Sequence, residues 1–148
     1  MTIDLVRQLL DSCFTGKKIT EMMPPLPQGI KPRHIHLIEA VGLGAGEGRP
    51  VRPTDISRSW HVTKPSIVRL VRELEDMGVL SASRGGSDRR TTELHLTEKG
   101  QQYYDLYVDQ YHRTLQQQLE DLDEEDCRRA VRLWQRLYQK MKEMAEHE

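Results

Sequence analysis

Only two cysteines, Cys13 and Cys127, occur in 148 residues. They cannot build the disulfide framework of a small secreted fold, and they suit a reducing compartment. The opening stretch MTIDLVRQLLDSCF lacks the basic region and long apolar run of a secretory leader. No stretch approaches a membrane span. These absences predict a cytoplasmic chain with no membrane partner. Catalytic sets are missing too. There is no nucleophile with a base and an orienting group, and no pair of carboxylates in a defined context, so no enzyme is expected. The histidines are scattered, at 34, 36, 61, 95, 112 and 147. His34 and His36, two apart on a helix, diverge by about 200° and do not form a chelating pair. No metal site and no cofactor are predicted.

The chain also lacks net charge, at −1 overall, but the charge is unevenly placed. Residues 49–100 hold ten Lys and Arg against seven Asp and Glu, about +3. Residues 101–148 hold seven against eleven, about −4, and the first 48 hold five of each. A basic middle beside an acidic tail is what local phosphate binding needs, whatever the whole-chain balance.

That basic middle is built around Thr63–Gly78, TKPSIVRLVRELEDMG. Thr63 is a good N-cap residue, whose hydroxyl accepts from an early helical N–H. Pro65 falls in the first turn, where a missing N–H costs little. Ile67, Leu70, Val71 and Leu74 recur at helical spacing and form one apolar stripe. Gly78 is the expected left-handed stop. Pro65, Val68, Arg69 and Arg72 lie opposite the stripe, with Lys64 and Ser66 beside them. Val79–Ser83 then alternates as a strand, with Leu80 and Ala82 on one side. Arg84–Arg90, RGGSDRR, reads as an extended hairpin tip. Thr91–Leu96 alternates again, with Leu94 and Leu96 inward and Glu93 and His95 outward. Thr97 caps the next helix. A helix-turn-helix followed by such a hairpin is a winged helix-turn-helix, whose second helix is suited to the DNA major groove.

Two stretches, TDISRSWHVTKPSIVRLVRELEDMGVL and SDRRTTELHLTEKG, resemble the multiple antibiotic resistance regulator (MarR) family from about Pro53 to Gly100. The motifs are Asp88-Arg89-Arg90 in the wing and Leu96-Thr97-Glu98-Lys99-Gly100 at the strand-to-helix junction. The resemblance implies a transcriptional regulator, a repressor, that binds a pseudo-palindromic operator in double-stranded DNA. It also implies a small-molecule effector held between the dimer helices and the DNA-binding lobe. The DNA-binding residues would be Thr63, Lys64, Pro65, Ser66, Arg69, Arg72, Arg84, Asp88, Arg89 and Arg90. Arginines pair bidentately with guanine, while Lys64, Ser66 and the helix N-terminus suit phosphates. By the same resemblance Arg90 enters the minor groove, Asp88 holds the wing arginine, and Arg84 and Arg89 meet the backbone.

The flanks complete the plan. Thr2–Phe14 is a predicted helix with Leu5, Leu9, Leu10 and Cys13 along one side. Cys13, on that apolar side with no basic neighbour to activate it, reads as a buried inert thiol rather than a redox sensor. Thr15–Gly29 is read as irregular, because Pro24, Pro25 and Pro27 forbid a helix there. Met22, Met23 and Leu26 form an apolar arm. Pro32 starts a second helix to about Leu43, with Ile35, Ile38 and Val41 inward. Gly42–Pro50, GLGAGEGRP, is expected to be a flexible loop. Trp60 occupies a core position. A long helix follows Thr97 to about Leu119, with Tyr104, Val108, Tyr111 and Leu115 on one face. Asp123 opens a last helix carrying Cys127, Ala130, Val131, Trp134, Leu137, Tyr138 and Met141. The winged core cannot cover both stripes, so a second copy of the chain is the simplest partner.

The fold class is therefore mostly α with a small two-stranded β-wing, a winged helix-turn-helix whose dimer is built from N- and C-terminal helices. Residues 1–148 form a single unit. Residues 1–30 and 101–148 supply the dimerisation helices and arm, and residues 31–100 the DNA-binding lobe. Two alternatives stand beside it. One is a metal-dependent repressor resembling the diphtheria-toxin-repressor family, though its clustered ligands after the wing are not evident. The other is a winged-helix protein-interaction module without DNA binding.

Overall fold

The computed structural model describes residues 1–84 and 91–147. It divides into two compact units, Met1–Gln110 and Tyr111–Glu148. The first contains α1 (Ile3–Glu21), α2 (Pro32–Gly46), α3 (Pro53–Trp60), α4 (Lys64–Asp76), β1 (Leu80–Arg84), β2 (Thr92–Leu96) and α5 (Glu98–Tyr104). The backbone then makes one π turn, Asp105–Asp109, and resumes as α6 (Gln110–Gln118). Helix α7 (Glu124–Glu146) is the main element of the second unit. No described helix is long and apolar enough to cross a membrane.

Helix α2 is the centre of the first unit. Ile35, Leu37, Ile38 and Val41 are buried there, in one core with Ile56 of α3, Ile67, Leu70, Val71 and Leu74 of α4, Val79 just before β1, and Leu80 and Leu94 of the sheet. The apolar stripe expected on α4 is thus the stripe that is buried. Strands β1 and β2 pair antiparallel, with Leu80 opposite Leu96 and Ala82 opposite Leu94. Val51 adds a bridge to Leu94, whose N–H donates to the Val51 carbonyl at 2.8 Å.

The end of α4 shows why the LTEKG junction has its composition. Gly78 takes a φ of +72°, as its stop role requires. The Val79 N–H reaches back to the Leu74 carbonyl at 2.9 Å. The Thr97 hydroxyl lies 2.6 Å from the Gly78 carbonyl, to which it donates, and accepts from the Gly100 N–H at 3.1 Å. Lys99 Nζ donates to the Met77 carbonyl at 3.0 Å. Two carbonyls left without helical partners are so satisfied by the start of α5. Asp123 opens α7 in the same way as Thr97 opens α5, accepting from the Asp126 N–H at 2.8 Å.

Five expectations are corrected. Helix α1 runs to Glu21 rather than stopping near Phe14, because the chain has no proline before position 24; only the segment after Met22 is irregular. Of the arm, Met23 and Leu26 pack on the core, whereas Met22 is exposed. The glycine-rich stretch after Val41 is helical to Gly46, not a loop. A Cβ on Gly42 would overlap the Tyr104 ring, so that glycine lets α5 lie close on α2. Thr63 occupies the N-cap position but its hydroxyl makes no capping bond; its carbonyl accepts instead from the Ser66 N–H and hydroxyl, at 3.2 and 2.7 Å. Cys13 is exposed on the single chain rather than buried, because α1 has no buried residue of its own.

His36 ties α1 to α2, its Nε2–H donating to the Thr20 carbonyl at 2.8 Å. Its pKa is raised above the usual 6.5, chiefly by the Glu39 carboxylate beside it. At 3.9 Å from Nδ1 this is an ion pair rather than a hydrogen bond. Burial acts in the opposite direction, and the Thr20 carbonyl adds to the rise.

Two predictions follow from these contacts. The folded chain holds the His36 proton more tightly than the unfolded chain, so the contribution is complete below pH 6.5 and fades as pH rises through the raised pKa. Urea midpoints measured across that window should fall with pH in the parent and be flatter in His36→Gln. The second concerns Gly100, where a Cβ would overlap the Val79 carbonyl oxygen. A backbone atom cannot move aside as a side chain can, so Gly100→Ala should cost about 1–3 kcal/mol in denaturant unfolding.

Candidate nucleic-acid interface

With Ile67, Leu70, Val71 and Leu74 buried, the rest of α4 is fixed in orientation. Lys64, Pro65, Arg69 and Arg72 are exposed, and Ser66 and Val68 are half-buried. Lys64, Pro65, Val68, Arg69 and Arg72 line one shallow furrow along the helix. A second depression, of about 430 Å³, shares Lys64, Val68 and Arg72 and runs between α4, the start of α3 and the sheet. Among the described residues, no ion pair or hydrogen bond holds Lys64, Arg69 or Arg72. Their charges are therefore available to an anionic partner.

The sequence-predicted site residues separate into three groups. Lys64, Arg69 and Arg72 come together on this face, with Pro65 between them. Thr63 and Ser66 sit at its N-terminal end, where they bond each other across the first turn. Arg84 is exposed at the far end of β1, opposite Thr92. Asp88, Arg89 and Arg90 lie outside the described residues.

One residue was missed. Arg52, just before α3, lines the second depression with Thr54, Lys64 and Arg72. Its backbone N–H donates to the Asp55 carboxylate at 3.0 Å, while its guanidinium lies 3.8 Å from Glu93 and has a buried Nε with no partner. A position preceding a helix carries no periodicity, so only the packing of α3 against β2 brings it to this face.

A separate cavity of about 800 Å³ opens between the end of α1, α2 and the α3–α4 turn. Lys17, Arg33, His36, Glu39, Trp60 and Val62 are among its walls. The cavity is lined by Trp60 and the polar side of α2. His34 and His36 turn to different neighbours, Glu73 on α4 and Thr20 on α1.

Comparison with known proteins agrees with this architecture. The sequence pattern of the MarR family matches residues 28–91. Among solved structures, the chain is similar to Streptococcus pneumoniae FabT in complex with DNA, at 23% identity and a TM-score of 0.66 over 97% of this chain and 99% of that one. It is similar to a MarR/EmrR family transcriptional regulator from Acinetobacter sp. ADP1, at 20% identity and 0.69 over 97% and 99%. It is also similar to the PcaV transcriptional regulator from Streptomyces coelicolor in complex with its natural ligand, at 16% identity and 0.63 over 91% and 89%. The family pattern thus falls on the helix-turn-helix, and the fold is shared with these solved structures along nearly the whole length of the chain.

Proposed function

We propose that the protein is a sequence-specific DNA-binding transcriptional regulator, a repressor, that holds a pseudo-palindromic operator as a homodimer and is released by a small-molecule effector. The observation that carries this reading is the face of α4: three cations, Lys64, Arg69 and Arg72, unpaired among the described residues on a helix whose other side is locked in the core. In the major groove Arg69 and Arg72 meet base edges, while Lys64, Ser66 and Arg52 meet phosphates. Arg84, Asp88, Arg89 and Arg90 are assigned to the wing contacts, with Arg90 in the minor groove. FabT, solved with DNA, and PcaV, solved with its natural ligand, support the two halves of the reading. The cavity beside Trp60 is where the effector is proposed to act.

The dimer follows from what a single chain leaves uncovered. On α1, Ile3, Leu5, Val6, Leu10, Phe14 and Ile19 are exposed. On α7, Val131, Leu133, Tyr138, Met141 and Met144 are exposed too. Apolar faces of that length on a protein in water call for a covering partner, and a second copy supplies matching faces.

Recovery of bound genomic DNA yields the operator, and two tests then follow. Arg69→Ala or Arg72→Ala should cost about 1–3 kcal/mol on the cognate site and relax preference at one base position in each half-site. Arg90→Ala should weaken cognate and scrambled DNA alike and flatten the salt dependence, since fewer counterions are released. Unchanged specificity in both helix variants, with specificity lost in Arg90→Ala, reverses the two assignments. Removal of residues 123–148 should leave aggregated or unstable protein that no longer retards operator DNA. A well-folded monomer that still binds it would overturn the dimer.

A further inference from the structure

His34 is the most deeply buried polar side chain among the described residues, only 2% exposed, and it lies on neither the cationic face nor the cavity wall. It stands in the first turn of α2. The Lys31 N–H donates to its Nδ1 at 3.0 Å, and the Lys31 carbonyl accepts the His34 N–H at 2.9 Å. A backbone N–H can only donate, so Nδ1 must present its lone pair and the ring proton sits on Nε2. Nε2 lies 2.6 Å from the Glu73 carboxylate, 39 residues along the chain on α4. The tautomer is thus set by the helix start, and the donor is aimed at the helix that carries Arg69 and Arg72.

The apolar packing of α4 on the core is made by Ile67, Leu70, Val71 and Leu74. Aliphatic packing fixes which side of a helix is buried but tolerates small rotations and slides. A short hydrogen bond from a buried donor to a carboxylate is strong and directional. Glu73 is one residue past Arg72 and one turn past Arg69, so a shift at Glu73 moves both arginines against the bases. Base readout depends on placement within fractions of an ångström. We propose that His34 is a positioning residue for DNA recognition: through Nε2–H and Glu73 it fixes the rotation and register of α4, and so where Arg69 and Arg72 reach. This rests on the DNA-binding reading above.

The two ring nitrogens can be tested apart. The carbonyl of Asn stands where Nδ1 stands, so His34→Asn keeps the bond to Lys31 but is too short for Glu73. The amide of Gln reaches where Nε2 reaches, so His34→Gln keeps the donor to Glu73. Glu73→Gln keeps an acceptor, and Glu73→Ala removes it. The readout is the ratio of affinities for operator and scrambled duplex, by competition on one protein sample. A side chain that mattered only for stability would lower the amount of active protein and leave this ratio unchanged, because both duplexes compete for the same folded molecules. Loss of the Glu73 charge strengthens both duplexes together and also cancels. We expect His34→Asn and Glu73→Ala each to lower the ratio about tenfold, the size of one lost charge-assisted bond. The double variant should be no worse than either single one, while His34→Gln and Glu73→Gln stay within about threefold of the parent. The proposal is overturned if His34→Asn and Glu73→Ala keep the parental ratio, if their losses add in the double variant, or if His34→Gln fails as badly as His34→Asn. Should His34→Asn not fold, Glu73→Ala against Glu73→Gln decides alone. A parent that shows no preference for any duplex removes the DNA-binding reading itself, an outcome distinct from a parent that discriminates with variants that do so equally well.

Discussion

Where the cationic helix stops, and where the sheet that packs beside it begins, depends on how its C-terminal end is closed. The last carbonyls of a helix must find donors, and a helix ending against a sheet cannot leave them to water. Here Gly78 turns the chain through a left-handed conformation, and Thr97 and Lys99 donate to the exposed carbonyls of Gly78 and Met77. The same Thr97 begins α5. One threonine therefore joins the end of α4, the end of β2 and the start of α5. The buried stripe of α4 decides which side faces inward; this junction decides where the helix stops and where the sheet begins.

Much of that frame was legible because it is periodic. Ile67, Leu70, Val71 and Leu74 repeat at helical spacing, and the alternation around Leu94 marks a half-buried strand. The two are read by different periods, and both came out as expected. Caps are legible when the residue type has a single use at a junction, as at Thr97 and Asp123. Thr63 shows the limit. It has the right type and the right place, yet Ser66 takes the turn's bonding by donating to its carbonyl.

The misreadings share a cause: residue types that point to a loop locally but are needed by a distant neighbour. Gly42, Gly44 and Gly46 look like punctuation, but α2 continues through them and the first lies under the Tyr104 ring. Tertiary contact outweighs a helix penalty of about 1 kcal/mol per glycine. Arg52 was missed, and His34 was read only as half of a pair that does not chelate, for a similar reason. The role of each is set by an element far along the chain, Glu93 for the one and Glu73 for the other. Single-sequence periodicity holds no information about such pairs. Cys13 inverts the case: its helix side is apolar as expected, but one chain alone does not cover it.

The second unit has no buried residue among those described, although α7 is 23 residues long. Helices without a packed face are only marginally stable in water. In the proposed homodimer, what stabilises this part of the molecule enters by mass action, and its ordering becomes a function of how much protein is present. For the proposed homodimer, the amount of binding-competent species below its dissociation constant varies as the square of the chain concentration. Occupancy of the proposed operator then rises more steeply than expression. For a regulator of the proposed kind, halving the supply of chain then removes more than half of the control, and the bare apolar stripe on one helix is what would sharpen that response.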